Sequence, residues 1–373
     1  MTRFTSTGEH ASAMVTDNVS LRAERERVLK PWLRKTWFLL ALAGVLTVSL
    51  LFGHSGPPLV VEWFLRTVQP SVTTAIVLFL MAFSLDASRR RDALSRPIAA
   101  AWGCVVNIGL MPLLAWPLSD LQTLPDFRLG LLVTAVVPCT LATASVFTRQ
   151  AGGNDAVSLL VTLATNLACV VLTPLWLHLL LSQTAAFDPW RTLEQLAISV
   201  LLPTIIGQML QEMPWGRRFV ARHRSRINLL AQLLVLLLVA VAATKAGDVL
   251  SRQATWPTLG SALWMALACI VLHAVALACG WYGSRGLRLP RADAIAVAIA
   301  GSQKTLPIGL MIVATPGLLS APAPFVTFPL LVFHAFQLLI DSALAERWAA
   351  ADLQSPQTSQ AVKSENPARL SVP

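Results

Sequence analysis

Two apolar segments of this chain are each interrupted by a polar stretch that contains proline: VPCTLATAS at residues 137–145 and AGSQKTLP at residues 300–307. Proline removes a backbone donor and clashes with the preceding turn, so we expect each helix to break near mid-membrane. Broken helices at corresponding places in two halves of a membrane protein indicate a substrate or ion site. Lys304 strengthens this prediction, because a cation at that depth costs about 2.5–3.5 kcal/mol.

The composition is that of a polytopic all-α membrane protein. Of 373 residues, 55% are hydrophobic and 13% are charged, whereas about a quarter of a soluble domain is charged. Apolar runs recur that are long enough to cross about 30 Å of hydrocarbon. They predict ten transmembrane helices, at about 36–53, 68–86, 97–117, 127–148, 155–181, 192–212, 227–247, 258–281, 292–316 and 323–345.

The placement of charge predicts the orientation of these spans. With the N-terminus in the cytoplasm, 23 of the 29 Lys and Arg residues fall in inner segments and 5 in outer ones. This bias obeys the positive-inside rule and places both termini in the cytoplasm of a cell inner (plasma) membrane protein. The net charge of +10 is therefore explained by topology and contact with the lipid bilayer, and not by nucleic acid.

An odd number of spans in each half gives the halves opposite orientation, which is the inverted-repeat plan. We expect a cytoplasmic N-terminal segment at 1–35 and a first five-span repeat at 36–181. An external loop at 182–191 and a second repeat at 192–345 follow. The polar residues 346–373 predict a disordered cytoplasmic tail, and the arginine-rich stretch 213–226 predicts an intracellular loop.

The fifth span begins with a glycine-containing turn in which Asn154 is placed to cap the helix. Ser158, Thr162, Thr165 and Cys169 follow at steps of four, three and four, and so share one face. Hydroxyl oxygens facing carbonyls freed by the break suit a dehydrated Na⁺. The alternative is that small and hydroxylated residues only let membrane helices pack closely.

Lys304 has several possible roles. Its ammonium could hold an anionic substrate, occupy the place of a metal cation, or carry a coupling proton, because lysine shifts its protonation equilibrium readily on burial. The structural alternatives are an ion pair with Asp341 or snorkelling to the interface.

The tenth span carries His334, Gln337 and Asp341 as one polar stripe at i, i+3 and i+7. The stripe could bind substrate or relay protons, or it could only join neighbouring helices. Other isolated polar residues are predicted to have no special role: Asn107, His178, Gln208 and His273.

The remaining chemistry excludes several classes. All five cysteines lie in predicted spans, which argues against a disulfide framework and a metal cluster. No phosphate-binding loop is present, and the few Asp, Glu and His residues are dispersed, so the sequence predicts neither an ATP-driven pump nor an enzyme. No cofactor is predicted, apart from Na⁺ as a coupling ion.

Four stretches in the right order resemble the bile acid:sodium symporter superfamily, and most closely its SBF-like branch, typified by sodium/bile acid cotransporter 7. They are FLMAFSLDASRRRDALSRP at 79–97, PCTLATASVFTRQAGGNDAVSLLVTLATNLACVVLTP at 138–174, GSQKTLPIG at 301–309 and PLLVFHAFQLLIDSALAERW at 329–348. The resemblance implies ten spans, with spans one, two, six and seven as a panel and the rest as a core. Spans four and nine would cross at their unwound centres.

The resemblance also implies organic anions as substrates, taken up with sodium. In the bile-acid branch, one sodium site uses groups from spans four and five and a glutamate on span nine. Ser158 and Thr162 match two ligand positions, whereas Ala144 and Ser145 stand where that branch has a serine and an asparagine. The glutamate has no counterpart and Lys304 lies in its motif, as in the SBF-like branch.

The sequence thus predicts a secondary active transporter of an organic anion, coupled to Na⁺, with Ser145, Ser158 and Thr162 as sodium ligands. A proton-coupled or Na⁺-independent exporter and a non-transporting regulatory protein are the alternatives. The predicted substrate- and ion-binding residues are Thr140, Thr143, Ser145, Asn154, Ser158, Thr162, Asn166, Ser302, Gln303, Lys304, Thr305, His334 and Gln337.

Overall fold

The computed structural model describes residues 37–38, 40–85, 96–141, 143–181, 188–252, 256–315 and 323–353. Within those ranges the chain forms helices and turns, with no strand. In chain order the helices are α1 Leu40–Ser55, α2 Pro58–Thr67, α3 Pro70–Ser84, α4 Pro97–Asp120, α5 Pro125–Val136, α6 Ala144–Gln150, α7 Asp155–Leu181, α8 Pro189–Glu212, α9 Pro214–Arg252, α10 Leu259–Gly286, α11 Arg291–Ser302, α12 Leu306–Ala314 and α13 Phe328–Leu353.

Proline sets many of these helix starts. It is the first residue of α2, α3, α4, α5, α8 and α9. The first turn of a helix leaves its N–H groups without helical partners in any case, so a residue that has no N–H is tolerated there. The same residue disrupts helices from inside: α4 and α8 contain π-helical segments, Val105–Leu110 and Ala197–Leu201, which lie immediately before the Met-Pro and Leu-Pro dipeptides at 111–112 and 202–203.

The prediction of an all-helical, polytopic membrane protein is confirmed. Among the described residues, seven helices are long and apolar enough to cross a membrane, or eight if α2 and α3, bent by 48°, form one span. The α11–α12 pair, Arg291–Ala314, is one of the seven. Helix α1 is apolar but shorter, and α5 and α6 are separate short helices. The count of ten spans in two inverted repeats therefore stays a prediction.

Several predicted boundaries differ from the structure. Helix α2 occupies residues that we expected to link the first two spans, and α9 begins at Pro214, so the expected arginine-rich loop is helical. Helix α13 continues to Leu353, past the predicted boundary at 345. Most of the external loop at 182–191 lies outside the described residues, and α8 starts at Pro189. The segment 1–35 and the residues after 353 are also outside the described ranges.

The centre of the molecule is built around α11, in which every side chain from Asp293 to Ser302 is buried. This helix packs against α4, α6, α7 and α10. Helix α5 ends at Val136, before Pro138, and α11 ends at Ser302, before the Leu306–Pro307 start of α12. We call residues 137–143 the first break and residues 303–305 the second break. The two breaks meet, because Thr305 N donates to Pro138 O at 3.0 Å.

Candidate functional site

The first break leaves four consecutive carbonyl groups, at residues 136–139, without helical donors, and α7 and the second break supply a donor for each. Thr173 Oγ1 donates to Val136 O at 2.7 Å, and Asn166 Nδ2 donates to Cys139 O at 2.8 Å. The carbonyl of residue 137 accepts from Lys304, and that of residue 138 accepts from the second break. Unpaired backbone groups are costly inside a membrane, so these donors are what makes the break tolerable.

The second break is satisfied in the same way. Asn107 Nδ2 lies within 3.2 Å of Ala300 O and Gly301 O and within 2.9 Å of Gln303 O. Gln337 of α13 binds the backbone of Lys304 twice: its Oε1 accepts from the backbone N at 2.8 Å, and its Nε2 donates to the backbone O at 2.9 Å. The side chain of Gln337 therefore replaces a missing backbone partner at this position.

The Lys304 ammonium is held by main-chain oxygens. Lys304 is 2% exposed. Its Nζ donates to Asn107 O at 2.6 Å and to Val137 O at 2.8 Å. The two structural alternatives do not describe this residue: the ammonium bonds to these carbonyls and not to Asp341, and the burial of Lys304 excludes snorkelling to the interface. Two neutral carbonyls from α4 and the first break surround a charge that comes from the second break.

The sequence of α4 explains why Asn107 O is available. In the π-helical segment, Met111 N donates to Val106 O, five residues back. The next residue is Pro112, which has no N–H to offer. The carbonyl of Asn107 is thereby left without its helical donor, and Lys304 takes that place. The neighbouring Ile108 O accepts from Trp176 Nε1 at 2.7 Å instead.

A second polar chain runs from the first break to α10. Thr143 Oγ1 donates to Gln303 Oε1 at 2.9 Å, and Gln303 Nε2 donates to Asp341 Oδ2 at 2.6 Å. Asp341 Oδ1 lies 3.0 Å from His273 Nε2. Thr140 lies at the other end of the chain, where its Oγ1 is 3.4 Å from Thr143 Oγ1. The two breaks, α13 and α10, which are distant in sequence, are thus linked by side chains alone.

The hydroxyl face of α7 is buried, as its spacing predicted. Thr165 Oγ1 accepts from Cys139 N at 3.3 Å and donates to Thr162 O at 3.1 Å. Thr162 Oγ1 lies 3.4 Å from Cys139 Sγ. Ser158 is fully buried, and its Oγ has no hydrogen-bond partner among the described residues. Ser145 is partly buried on α6.

Asn154 caps α7, which confirms the capping prediction. Its Oδ1 accepts from Ala156 N at 3.1 Å, and its Nδ2 donates to Asp293 Oδ1 at 2.8 Å. The preceding turn contains Gly152 at φ 74°, a left-handed conformation that favours glycine. The turn before α7 is therefore hydrogen-bonded to the beginning of α11. This contact lies outside both breaks.

The structure brings most of the predicted site residues to the breaks, whereas Ser145, Asn154 and Ser158 lie on α6 and at the start of α7. Ser302 and His334 lie beside the second break. Ser302 Oγ bonds within its own helix, to Ala298 O at 2.9 Å, and its carbonyl faces His273. His334 Nδ1 lies 2.7 Å from Gln337 Nε2. His334 also lines a cavity of about 10 Å³ with Thr134, Lys304 and Thr305, which is room for about one water molecule.

Two central residues were missed by the sequence analysis. Asn107 and His273 were predicted to have no special role, yet both are fully buried. Asn107 contacts the second break at Gln303 O, and His273 contacts Ser302 O, at the end of α11 just before that break. The signal for Asn107 is its position five residues before Pro112 in an apolar helix. No local signal marks His273, because its partners lie 29 and 68 residues away.

Comparison with known proteins gives consistent matches. Residues 36–350 match the SBF-like CPA transporter family. An uncharacterized Pseudomonas aeruginosa protein is 28% identical over 322 residues, which cover 84% of this chain and 92% of that protein. The putative symporter YfeH of Escherichia coli is 28% identical over 242 residues, 64% of this chain and 71% of that protein. Sodium/bile acid cotransporter 7 of Xenopus tropicalis is 21% identical over 336 residues, 84% of this chain and 91% of that protein.

Proposed function

The chain belongs to the SBF-like CPA transporter family, which is non-enzymatic, and from that premise we propose that it is a secondary active transporter that moves an organic anion across the inner (plasma) membrane. The transport site in this proposal is the contact between the two breaks. The N-terminus of α12 and the Lys304 ammonium both bring positive charge there. Two of the three relatives are named as a putative symporter and a sodium/bile acid cotransporter.

The proposed topology is ten spans in two inverted five-span repeats. The seven long apolar helices account for seven spans. Helix α1, helix α3 and the broken pair α5–α6 supply the other three in this proposal. The broken pairs α5–α6 and α11–α12 then occupy the fourth position of each repeat, which is the arrangement that places a binding site at mid-membrane.

The observation that carries the proposed mechanism is the environment of Lys304 Nζ. Freed carbonyl oxygens at helix breaks are ligands that transporters use for dehydrated monovalent cations. Here Asn107 O and Val137 O are taken by the ammonium. We infer that Lys304 occupies the place of a bound cation at the crossing, so that coupling to the driving gradient there uses protons and does not require Na⁺.

The experiment is uptake into proteoliposomes with two probe anions, taurocholate (amphipathic) and lactate (a small carboxylate). We expect a pH step without Na⁺ to drive accumulation of at least one probe, and Lys304→Ala to abolish it. Lys245→Ala is the matched control, because Lys245 is exposed at the far end of α9. Uptake of both probes that follows only a sodium gradient would contradict the proposed coupling, and no uptake of either would contradict the proposed substrate class.

Sodium symport is the second candidate, because one observation favours it. Ser158 Oγ is fully buried and without a partner among the described residues, and a buried polar atom of this kind calls for an explanation such as a bound ion. Thr162 and Ser145 would complete the ligands. In this case Ser158→Ala should abolish sodium-driven uptake, and Lys304 would hold the anion.

A further inference from the structure

A histidine–carboxylate pair is buried beside the second break. His273 of α10 and Asp341 of α13 are both fully buried, with Nε2 and Oδ1 3.0 Å apart. Asp341 Oδ2 accepts from Gln303 Nε2 at 2.6 Å. The other ring nitrogen, His273 Nδ1, lies 3.3 Å from Ser302 O. Both ring nitrogens therefore face oxygen atoms.

This geometry fixes the number of protons that the pair needs. A neutral imidazole has one N–H, so it can donate to Ser302 O or to the aspartate but not to both. With an ionised Asp341, one ring nitrogen would then direct its lone pair at an acceptor oxygen. All contacts are satisfied only when one more proton is present, either as a doubly protonated ring beside a carboxylate or as a neutral ring beside a protonated carboxyl.

Hydrogen bonds of Gln303 connect the pair to the transport site. That side chain joins Asp341 to Thr143 of the first break, and its backbone is bonded to Lys304. With the extra proton, the pair is electrically neutral and Lys304 is the uncompensated charge of the cluster. Without it, the pair carries a negative charge that compensates the ammonium. In a medium of low dielectric constant, that difference changes strongly the attraction for an anion.

Few other groups can titrate near the pair. Within the membrane-spanning parts of the helices packed around it, the described titratable groups are Lys304, His334 and the thiols Cys104, Cys139, Cys169, Cys269 and Cys279. Asp341 is the one carboxylate in this set, since the other described acidic residues lie near helix ends. The pair can therefore change the charge of the cluster without a second carboxylate.

We propose that His273 and Asp341 form the proton-binding site of this transporter and that Gln303 is the positioning residue that links the site to the anion. The role of the pair in transport rests on the proposed function. The presence of the extra proton rests on the geometry alone. The pair takes a proton from water on one side of the membrane, the anion then binds at Lys304, and both leave on the other side. One proton accompanies one anion.

The proton itself is tested without a substrate, by NMR of purified protein labelled with ¹⁵N in histidine and with ¹³C in the aspartate carboxyl groups. At neutral pH we expect one buried site in which the ring is doubly protonated or the carboxyl is protonated. The signals of the pair are assigned by their loss in His273→Gln or in Asp341→Asn. Either variant is sufficient, provided that it folds. His178→Gln, which replaces an exposed histidine at the end of α7, should leave them unchanged. A singly protonated His273 beside an ionised Asp341 would overturn the proposal.

The coupling is tested in the proteoliposome assay. Asp341→Asn should lose the pH-driven accumulation of taurocholate or lactate, while exchange of the probe at equal pH on both sides remains. Equal pH-driven accumulation by wild type and a folded Asp341→Asn protein would overturn the role of the pair. Absence of uptake by wild type would count against the proposed function alone, because the NMR result is independent of it.

Discussion

At the scale of single residues, the site is a set of side chains that stand in for missing backbone partners. Gln337 binds both backbone groups of Lys304, and Asn107 covers three carbonyls at the end of α11. Lys304 itself fills the gap that a π-helical segment and Pro112 leave in α4. The positive charge is therefore stabilised between the two breaks, because the backbone there supplies acceptors for it.

A pair of threonine substitutions tests this account. Thr173 Oγ1 donates to Val136 O, a buried break carbonyl, whereas exposed Thr47 Oγ1 donates to Ala43 O inside its own helix. Thr173→Val should destabilise the protein by about 1–3 kcal/mol, because it leaves a buried acceptor unpaired. Thr47→Val should stay within about 0.5 kcal/mol. Unfolding in detergent measures both, and equal effects would contradict the account.

The sequence predicts a residue's role well when the residue's partners are close in sequence, and poorly when they are distant. The proline-bearing motifs located both breaks, and the spacing of Ser158, Thr162 and Thr165 located a buried face. Asn107 and His273 were assigned no special role, because their partners are distant in sequence and one lone polar residue in an apolar helix has many possible explanations.

At the scale of helices, proline and glycine decide how elements begin and how closely they approach. A Cβ atom on Gly247 of α9 would lie 2.2 Å from Leu50 O of α1. Small residues at such contacts let membrane helices approach closely. The helical start of α9 was missed because arginine-rich segments suggest loops, although arginine is a good helix former. Its Val220 and Ile227 pack against Phe83 of α3.

A pair of glycine substitutions measures the α1–α9 contact. Gly247→Ala should destabilise the protein by about 1–3 kcal/mol, because the new methyl group forces the two helices apart. A Cβ on Gly44 of α1 would meet nothing within 4 Å. Gly44→Ala should therefore be neutral or stabilising by about 0.5–1 kcal/mol, from helix propensity. Thermal unfolding of the two variants side by side gives the comparison. A destabilising Gly44→Ala of equal size would show that the contact is not the cause.

At the scale of the whole molecule, the topology depends on the broken pair α5–α6. If it crosses the membrane, the chain has ten spans and both termini are cytoplasmic. If it does not, every later segment changes side. Composition predicts the larger number, but neither helix is long enough to span alone, at 12 and 7 residues. Length and hydropathy could not decide this, because a break divides one span into two short helices.

Reporter fusions test the topology. With ten spans, alkaline phosphatase fused after Ala185 or Ala254 should be active outside the cytoplasm, and a fluorescent protein after Pro373 should fluoresce inside it. The positive-inside distribution is the physical reason. A phosphatase fusion after Arg288, in the turn between α10 and α11, should be inactive. Reversed activities at Ala185 and Arg288 would mean that α5–α6 does not cross.

The central claim is that the Lys304 ammonium occupies a cation's place between the two breaks, and the most direct measurement is thermal stability in NaCl against matched choline chloride. A ligand that binds only the folded protein, at a hundred times its Kd, adds about 2.7 kcal/mol. We predict no sodium effect in wild type or in the Lys245→Ala control, and stabilisation by Na⁺ in Lys304→Ala. The claim would be contradicted if Na⁺ stabilised the wild-type protein and Lys304→Ala equally but did not stabilise Ser158→Ala. That result would place the ion on α7.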